Sequence, residues 1–383
     1  MGRALFTAVT GLKAQQAKLD VVANNIANVN TTGYRSSRVL FQDLFSQTLS
    51  GPSAPAASNG GTNPMQVGLG VQIGSIDVNH GQGSLVTTGV NSDLAIQGNG
   101  FFVLSNGTAN VYTRDGSFTV NSVGTLVDPA TGLRVQGYMA NSDGVVDPAS
   151  AVLSDITIPL GSDGIAKATT TAQLTGNLNS GTRATETVVR NVEFFDSLGT
   201  ARNVELTFTK TANANEWSWA ATYDNGTATP TVGSGTITFD PNGNVAAGSE
   251  TGTISITAAD LGNGPTAPVD PLAVALDFSD ITQLSPPVDP AADPDAQAPS
   301  DITLRSQNGF PLGILQSFSI GGNGQVIGVY TNDRTQVIAQ VALANFANVG
   351  GLTREGNNAF RQSPASGLAN IGTPGTGGRG SVT

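Results

Sequence analysis

His80 is the chain's one histidine, and the chain has no cysteine. Acid–base catalysis near neutral pH, thiolate nucleophiles and zinc sites draw largely on those two residue types. In the run Asn79-His80-Gly81-Gln82-Gly83, His80 reads as a solvated loop residue beside glycines. The stretch Gly98-Asn99-Gly100-Phe101-Phe102-Val103 lacks the third glycine of a dinucleotide fingerprint and leads into a strand, not a helix. Gly322-Asn323-Gly324 fails for the same reason. Asp289, Asp293 and Asp295 lack the glycine and terminal glutamate of a calcium loop and read as a solvated acidic tract. No Gly-x-Ser-x-Gly elbow occurs. Asn30, Asn106 and Asn225 begin Asn-x-Thr sequons, a weak signal. These residues predict no enzyme, no cofactor and no metal.

Composition bounds the partners. Over 383 residues the net charge is -11, and charged residues make up only 12%, about half the usual share. Four lysines in an acidic chain speak against phosphate-backbone binding, so no nucleic acid is expected. The longest apolar runs near the N-terminus, such as Ala4-Leu5-Phe6 and Val21-Val22-Ala23, span three residues. That predicts no membrane insertion and no standard cleaved signal; an exported form needs another machine to recognise it. Zero cysteine is neutral about redox compartment. The 48 glycines, with abundant Ser, Thr and Asn, suit short strands and many turns.

One helix stands out at the start. Leu5, Leu12, Leu19 and Ile26 recur every seven residues, with Val9, Gln16 and Ala23 between them. Lys13, Lys18, Asp20 and Asn24 lie off that seam. A helix from about residue 3 to 28 is roughly 38 Å long. Its stripe is narrow, like a coiled-coil seam, whereas the face of a globular-domain helix is broad. Such a helix can dock on its own domain, lie on a membrane surface or pair with another helix. The narrow seam, and the small aromatic and basic content of the polar face, favour pairing. No second segment offers a matching seam. The run Val337–Ala344 alternates like a strand, so the partner helix is expected from outside this chain.

The body reads as mainly β. Residues 29–75 are expected as a linker region, with 50–64 an exposed Gly/Pro/Ser loop. From residue 76, Asn106-Gly107 and Asp115-Gly116 punctuate apolar runs and suggest two-residue hairpins. A second block has turn signals at Asp163-Gly164, Asn225-Gly226 and Asn242-Gly243, and alternation in Asn203–Thr209 and Glu216–Ala220. The Pro/Ala/Asp-rich tract 283–301 marks its exit. The expected organisation is an N-terminal helix (1–28), a discontinuous antiparallel middle β domain (76–146 and 305–362), an inserted outer β domain (147–304) and a Gly-rich tail without a core (363–383).

Several separated stretches carry a resemblance. They are Leu12–Gln16 running into Val21-Val22-Ala23-Asn24-Asn25-Ile26-Ala27-Asn28-Val29-Asn30-Thr31-Thr32-Gly33-Tyr34-Arg35; Gly68–Val71 with Asp93–Phe102; Tyr112–Phe118; and Gly328–Asn332, Leu343–Asn348 and Gly350–Leu352. Together, in this order, they resemble the rod and hook axial proteins of the bacterial flagellum. The long insert, with Phe194-Phe195-Asp196-Ser197-Leu198-Gly199, resembles the hook branch more than the distal rod.

The resemblance implies a layered structural subunit. Terminal helices line an inner tube, a β domain forms the middle shell, and the insert faces outward. By the same resemblance, copies of the subunit polymerise into a flexible joint that transmits motor torque. It implies self-association; contact with distal rod, hook cap and hook–filament junction proteins; passage through the flagellar type III export apparatus; and an extracellular place in the flagellum. The self-assembly residues it suggests are Leu5, Val9, Leu12, Leu19 and Ile26 of the seam with Asn24, Asn25, Asn28, Gly33 and Tyr34. It also implies a C-terminal helix after the tail, where this chain reaches Gly380-Ser381-Val382-Thr383. Either the native chain continues or the inner layer is built differently. The first segment is expected to be unordered in the free subunit, and residues 29–75, 145–150 and 283–304 to flex as the tube bends. A distal rod protein, a secreted β-rich adhesin and a polysaccharide enzyme are the alternatives. The adhesin explains the β body but not the heptad, and no carboxylate pair singles out the enzyme.

Overall fold

The computed structural model describes residues 2–55, 60–149, 152–161, 164–262, 270–285 and 299–383. Asp289, Asp293, Asp295 and Asp163 lie outside them. The fold is mainly β, with antiparallel sheets and one N-terminal α-helix among the described residues.

Helix α1 is Gly2–Ala27. Its middle, Leu-Lys-Ala-Gln-Gln-Ala-Lys-Leu, is built from strong helix formers. Four strands follow: β1 (Ser37–Asp43), β2 (Ser46–Ser50), β3 (Met65–Gly68) and β4 (Val71–Val78). β1 pairs antiparallel with β4, with a bulge between Leu40 and Phe41, and β2 pairs antiparallel with β3. Residues 29–75 are therefore not a linker. Their strands escape a search for alternation because side chains of β2 and β3 are exposed on both faces.

The chain divides into two compact units. The first is Met1–Leu160, Ser317–Val329 and Thr335–Thr383. Its core gathers Phe101, Val103, Tyr112, Ala344, Phe346, Leu352 and Phe360. Strand Phe101–Ser105 lies at the centre, pairing with Asn110–Thr113, Leu343–Asn345 and Arg134–Met139. Phe346 stands edge-on to both Phe101 and Tyr112, with centroids 5.9 and 4.8 Å away. Such T-shaped pairs add directional attraction to area burial.

Local expectations change here. The Asn106-Gly107 turn has four residues, because Ser105 faces Asn110 across the hairpin. Asp115-Gly116 closes no hairpin: Leu94 N donates to Gly116 O at 2.9 Å, and Asp93 bridges to Ser117. The tail 363–383 has structure and core. Asn370–Gly372 pairs with Leu343–Asn345, Ser381–Val382 pairs with Ile96–Gln97, and Val382 is fully buried.

His80 is likewise not a solvated loop residue. It is half-buried, 6.0 Å from the Phe101 ring and 5.7 Å from that of Phe360. Burial first, then Arg35, Arg114 and Arg354, lowers its pKa to about 4. Glycine-rich flanks in sequence say nothing about three arginines arriving from positions 35, 114 and 354.

The second unit is Gly161–Gln316 with Tyr330–Arg334. The expected boundaries, 147 and 304, fall short of these for local reasons. Ser154–Asp155 pairs with Arg134–Met139, and Ile156 and Ile158 are fully buried, so this stretch belongs to the first unit. Thr303–Gln307 pairs with Thr171–Asn177 and belongs to the second. This unit holds two four-stranded sheets. One is an antiparallel meander of Thr187–Phe195, Ala201–Lys210, Glu216–Tyr223 and Thr231–Thr238. The other orders Thr251–Ile256, Leu272–Thr282, Thr171–Asn177 and Thr303–Gln307, with one parallel pair in its middle. Alternate residues from both sheets, Leu206, Phe208, Trp217, Ile254 and Phe278 among them, merge in one core. That is the arrangement of a sandwich. Asp196 is buried beside Arg202 at 2.9 Å and accepts from Leu198 N and Thr200 N at 3.0 and 2.9 Å. It fixes the turn in Phe194–Gly199.

Trp217 is fully buried, and its indole N–H has no partner. Trp217→Ala should destabilise the second unit by about 3–5 kcal/mol. Trp217→Phe should cost clearly less, because it removes the unpaired donor. Urea unfolding followed by Trp219 fluorescence measures both. For His80, the unfolded chain takes up its proton near pH ~6.5, the folded chain near 4. Stability it supports is therefore full above the first value and lost as pH falls toward the second. Exchange of the Val103 and Tyr112 amides, corrected for intrinsic rate, should speed up across that window, and His80→Gln should flatten the change.

Candidate assembly surface

Helix α1 has two unlike faces. Thr10, Ala17, Val21, Asn25 and Asn28 are half-buried, and Ala14 is buried. These positions recur at helical spacing and, Val21 apart, carry small or polar side chains. They seat the helix on β1 and β4. At Gly70, with φ +127°, the β4 approach runs so close to Thr10 that a Cβ would meet its hydroxyl. Glycine there lets the helix come down onto the ribbon. The helix thus has a seat on β1 and β4 of its own chain, the docked arrangement that the sequence left open beside pairing.

The seam lies on the other side. Leu5 and Leu12 are each 71% exposed, Leu19 and Ile26 each 67%, and Val9 42%. Phe6 and Val22 extend the same exposed apolar surface. A helix normally turns its largest apolar side chains inward. This one turns alanine inward and leucine outward.

The five other candidates come together at the helix's C-terminal end. Asn25 makes a reciprocal pair with the Ser37 backbone: its Nδ2 donates to Ser37 O at 2.8 Å, and its Oδ1 accepts from Ser37 N at 3.0 Å. The Tyr34 hydroxyl sits 2.8 Å from Asn24 Oδ1 and 3.1 Å from Asn25 Oδ1. Asn28 Nδ2 donates to Asn24 O at 2.9 Å, beside the backbone bond that this carbonyl accepts from Asn28 N at 3.2 Å. Gly33 adopts φ +70°, and a Cβ there would lie 2.8 Å from Asp115 N. These residues bond within the chain, so they set the helix's direction of exit and the seam remains the free surface.

Residues far along the chain hold the same corner. Asn358 Nδ2 donates to Thr32 O at 2.7 Å. Arg354 donates to Arg35 O and stacks on the Tyr34 ring at 5.5 Å. Sequence reasoning missed Arg354, Asn358 and Asp115 in this role. Asp115 belongs to the Tyr112–Phe118 motif, but nothing in the sequence links positions 354 and 358 to a helix end more than three hundred residues away. Among the described residues, no cluster of three or more His, Cys, Asp or Glu side chains is placed to hold a metal, and no helix is long and apolar enough to cross a membrane.

Three family models match the chain. They are described as flagella basal body rod protein (residues 5–35), flagellar hook protein FlgE/F/G D1 domain (95–174) and flagellar basal body protein FlaE D2 domain (159–289). The first covers the seam and the asparagine corner. The flagellar hook protein FlgE of Treponema pallidum is 38% identical over 428 aligned residues, covering 100% of this chain and 90% of that protein. The FlgE of Borreliella burgdorferi is 36% identical over 404 residues, covering 100% and 89%. The crystal structure of Helicobacter pylori flagellar hook protein FlgE2 aligns with a TM-score of 0.51 at 14% identity, covering 76% of this chain and 98% of that one, which supports the fold. With the helix, the β body and the long inserted sandwich matched end to end by such relatives, the chain belongs to the flagellar hook protein family.

Proposed function

We propose that the exposed seam Leu5, Val9, Leu12, Leu19 and Ile26 is the surface through which copies of this hook subunit polymerise. The chain is a structural subunit of the extracellular flagellar hook. One observation carries the proposal: the large apolar residues of α1 have no cover among the described residues, although their helix is seated. Burying one leucine or isoleucine side chain contributes about 1.5–3 kcal/mol. Four such residues along one stripe give a strong drive toward a neighbouring helix.

Head-to-tail contacts that do not close on themselves generate an open helical tube. A tube that bends while it turns needs contacts that are replaced as spacing changes. Small, wet, polar contacts between β units suit that better than dry apolar ones. The apolar seam then holds the tube together, and the β units slide. On this proposal the chain performs no catalysis and works as a torque-transmitting joint. Its partners beyond itself are distal rod, hook cap and hook–filament junction proteins, and the type III export apparatus is its route out. Asn24, Asn25, Asn28, Gly33 and Tyr34 serve assembly by aiming the helix.

Leu12→Gln with Leu19→Gln should abolish polymerisation seen by electron microscopy, while amide exchange in both β units stays unchanged. Tubes of normal length from that variant would remove the proposal. Asn25→Ala removes two backbone hydrogen bonds at the helix end, each contributing about 0.5–1.5 kcal/mol. It should speed amide exchange at Ser37 and raise the concentration needed for polymerisation without blocking it.

A further inference from the structure

Three arginines of the first unit gather around His80, and the described residues supply none of the three with a carboxylate. Ion pairs form elsewhere: Arg38 with Asp77, Arg134 with Asp155, Arg202 with Asp196, Arg305 with Asp280 and Arg361 with Glu355. Arg35, Arg114 and Arg354 have none. In a chain with 28 acidic and 17 basic residues, carboxylates are the commoner charge. Three unpaired guanidiniums in one place are therefore unexpected.

They are also held in position. Arg35 donates to Gly81 O, Arg114 to Gly98 O at 2.7 Å, and Arg354 to Arg35 O. Arg114 lies over the Phe101 ring at 5.5 Å, and Arg354 over Tyr34 and Phe360 at 5.5 and 5.9 Å. Each guanidinium carries five N–H donors, so these contacts leave donors to spare. Arg35 Nε, Arg114 Nη1 and His80 Nδ1 are buried without a hydrogen-bond partner. A cavity of about 190 Å³ opens beside Arg35 and Arg354, walled by Tyr34, Asn358 and Phe360.

Nearby acids are engaged elsewhere. Asp115 Oδ1 accepts from Ser117 N and Oγ at 3.1 and 2.9 Å, and Glu355 pairs with Arg361. Burial and then the charge on Arg35 lower the Arg114 pKa to about 10. The like charges repel one another, and an anion seated among them would relieve that repulsion. Guanidinium forks match a planar carboxylate with two parallel bonds.

We propose that Arg35, Arg114 and Arg354 form a carboxylate-receiving site, filled in the assembled hook by an acidic side chain of a neighbouring copy of this chain. The occupant rests on the polymerisation reading above; the site itself does not. The cluster adjoins the corner that aims α1, so filling it couples a lateral contact between β units to the set of the helix.

The test has two arms, both on the full chain. In wild-type monomer, the Nε–Hε NMR signals of Arg35 and Arg114 are followed during titration with sodium acetate, against sodium chloride at matched ionic strength. In polymerisation, the critical concentration is measured for wild type with and without acetate, and for Arg354→Gln and Arg354→Lys. Acetate should shift both signals saturably where chloride does not, and should raise the critical concentration by competing with the neighbour's carboxylate. Arg354→Gln should raise it about tenfold, the worth of one charge-assisted hydrogen bond. Arg354→Lys should recover part of that, and acetate should no longer raise the critical concentration of Arg354→Gln, which separates loss of the site from loss of the corner's bracing. Acetate that acts no differently from chloride overturns the site. Acetate that binds but leaves polymerisation unchanged or promotes it assigns the site to a free anion and overturns the neighbour. If Arg354→Gln polymerises like wild type while the seam variant does not, this inference falls and the seam proposal stands.

Discussion

A helix can be seated and still unsatisfied, and the structure depends on that constraint. α1 packs its small residues, centred on Ala14, against β1 and β4. Small side chains permit close approach but bury little apolar area, so the seat orients the helix more than it stabilises it. The leucines that would stabilise it project away from β1 and β4. Had Leu12 and Leu19 occupied the seat in place of Ala14 and Ala17, the helix would offer no such apolar stripe to a neighbour.

Orientation then has to come from polar geometry. The reciprocal Asn25–Ser37 pair, the Tyr34 hydroxyl at the asparagine amides and the close passage of Gly33 over Asp115 fix where the chain leaves the helix. These contacts are directional and individually modest. Together they give the seam one direction relative to the first β unit. Arg354 and Asn358 brace the same corner from the far end of the sequence. The arginine cluster sits against this corner, where charge as well as packing bears on the helix.

What the sequence disclosed follows physical periodicity. The heptad spacing located α1, and strict alternation located Ala201–Lys210 and Glu216–Tyr223, because each of those strands has one face in a core. Periodicity was silent for β2 and β3, which expose both faces. Glycine content misled at the tail, where Ser381–Val382 adds to Ile96–Gln97 across most of the chain length. The seam was legible because large apolar residues every seven positions fall on one narrow stripe of a helix. The asparagines were legible only through family resemblance. Their bonds to Ser37 and Tyr34 depend on the exit geometry, which no local pattern encodes. His80 was misread because the groups that surround it come from three distant segments.

The chain's lack of cysteine allows a direct measurement of the central idea. A single thiol introduced by Leu12→Cys can be timed against a maleimide before and after hooks form. Rapid labelling in the free subunit and strong protection in the tube is the result expected of a face that is bare alone and covered by copies. Equal labelling in both states, or a thiol already shielded in the monomer, contradicts it.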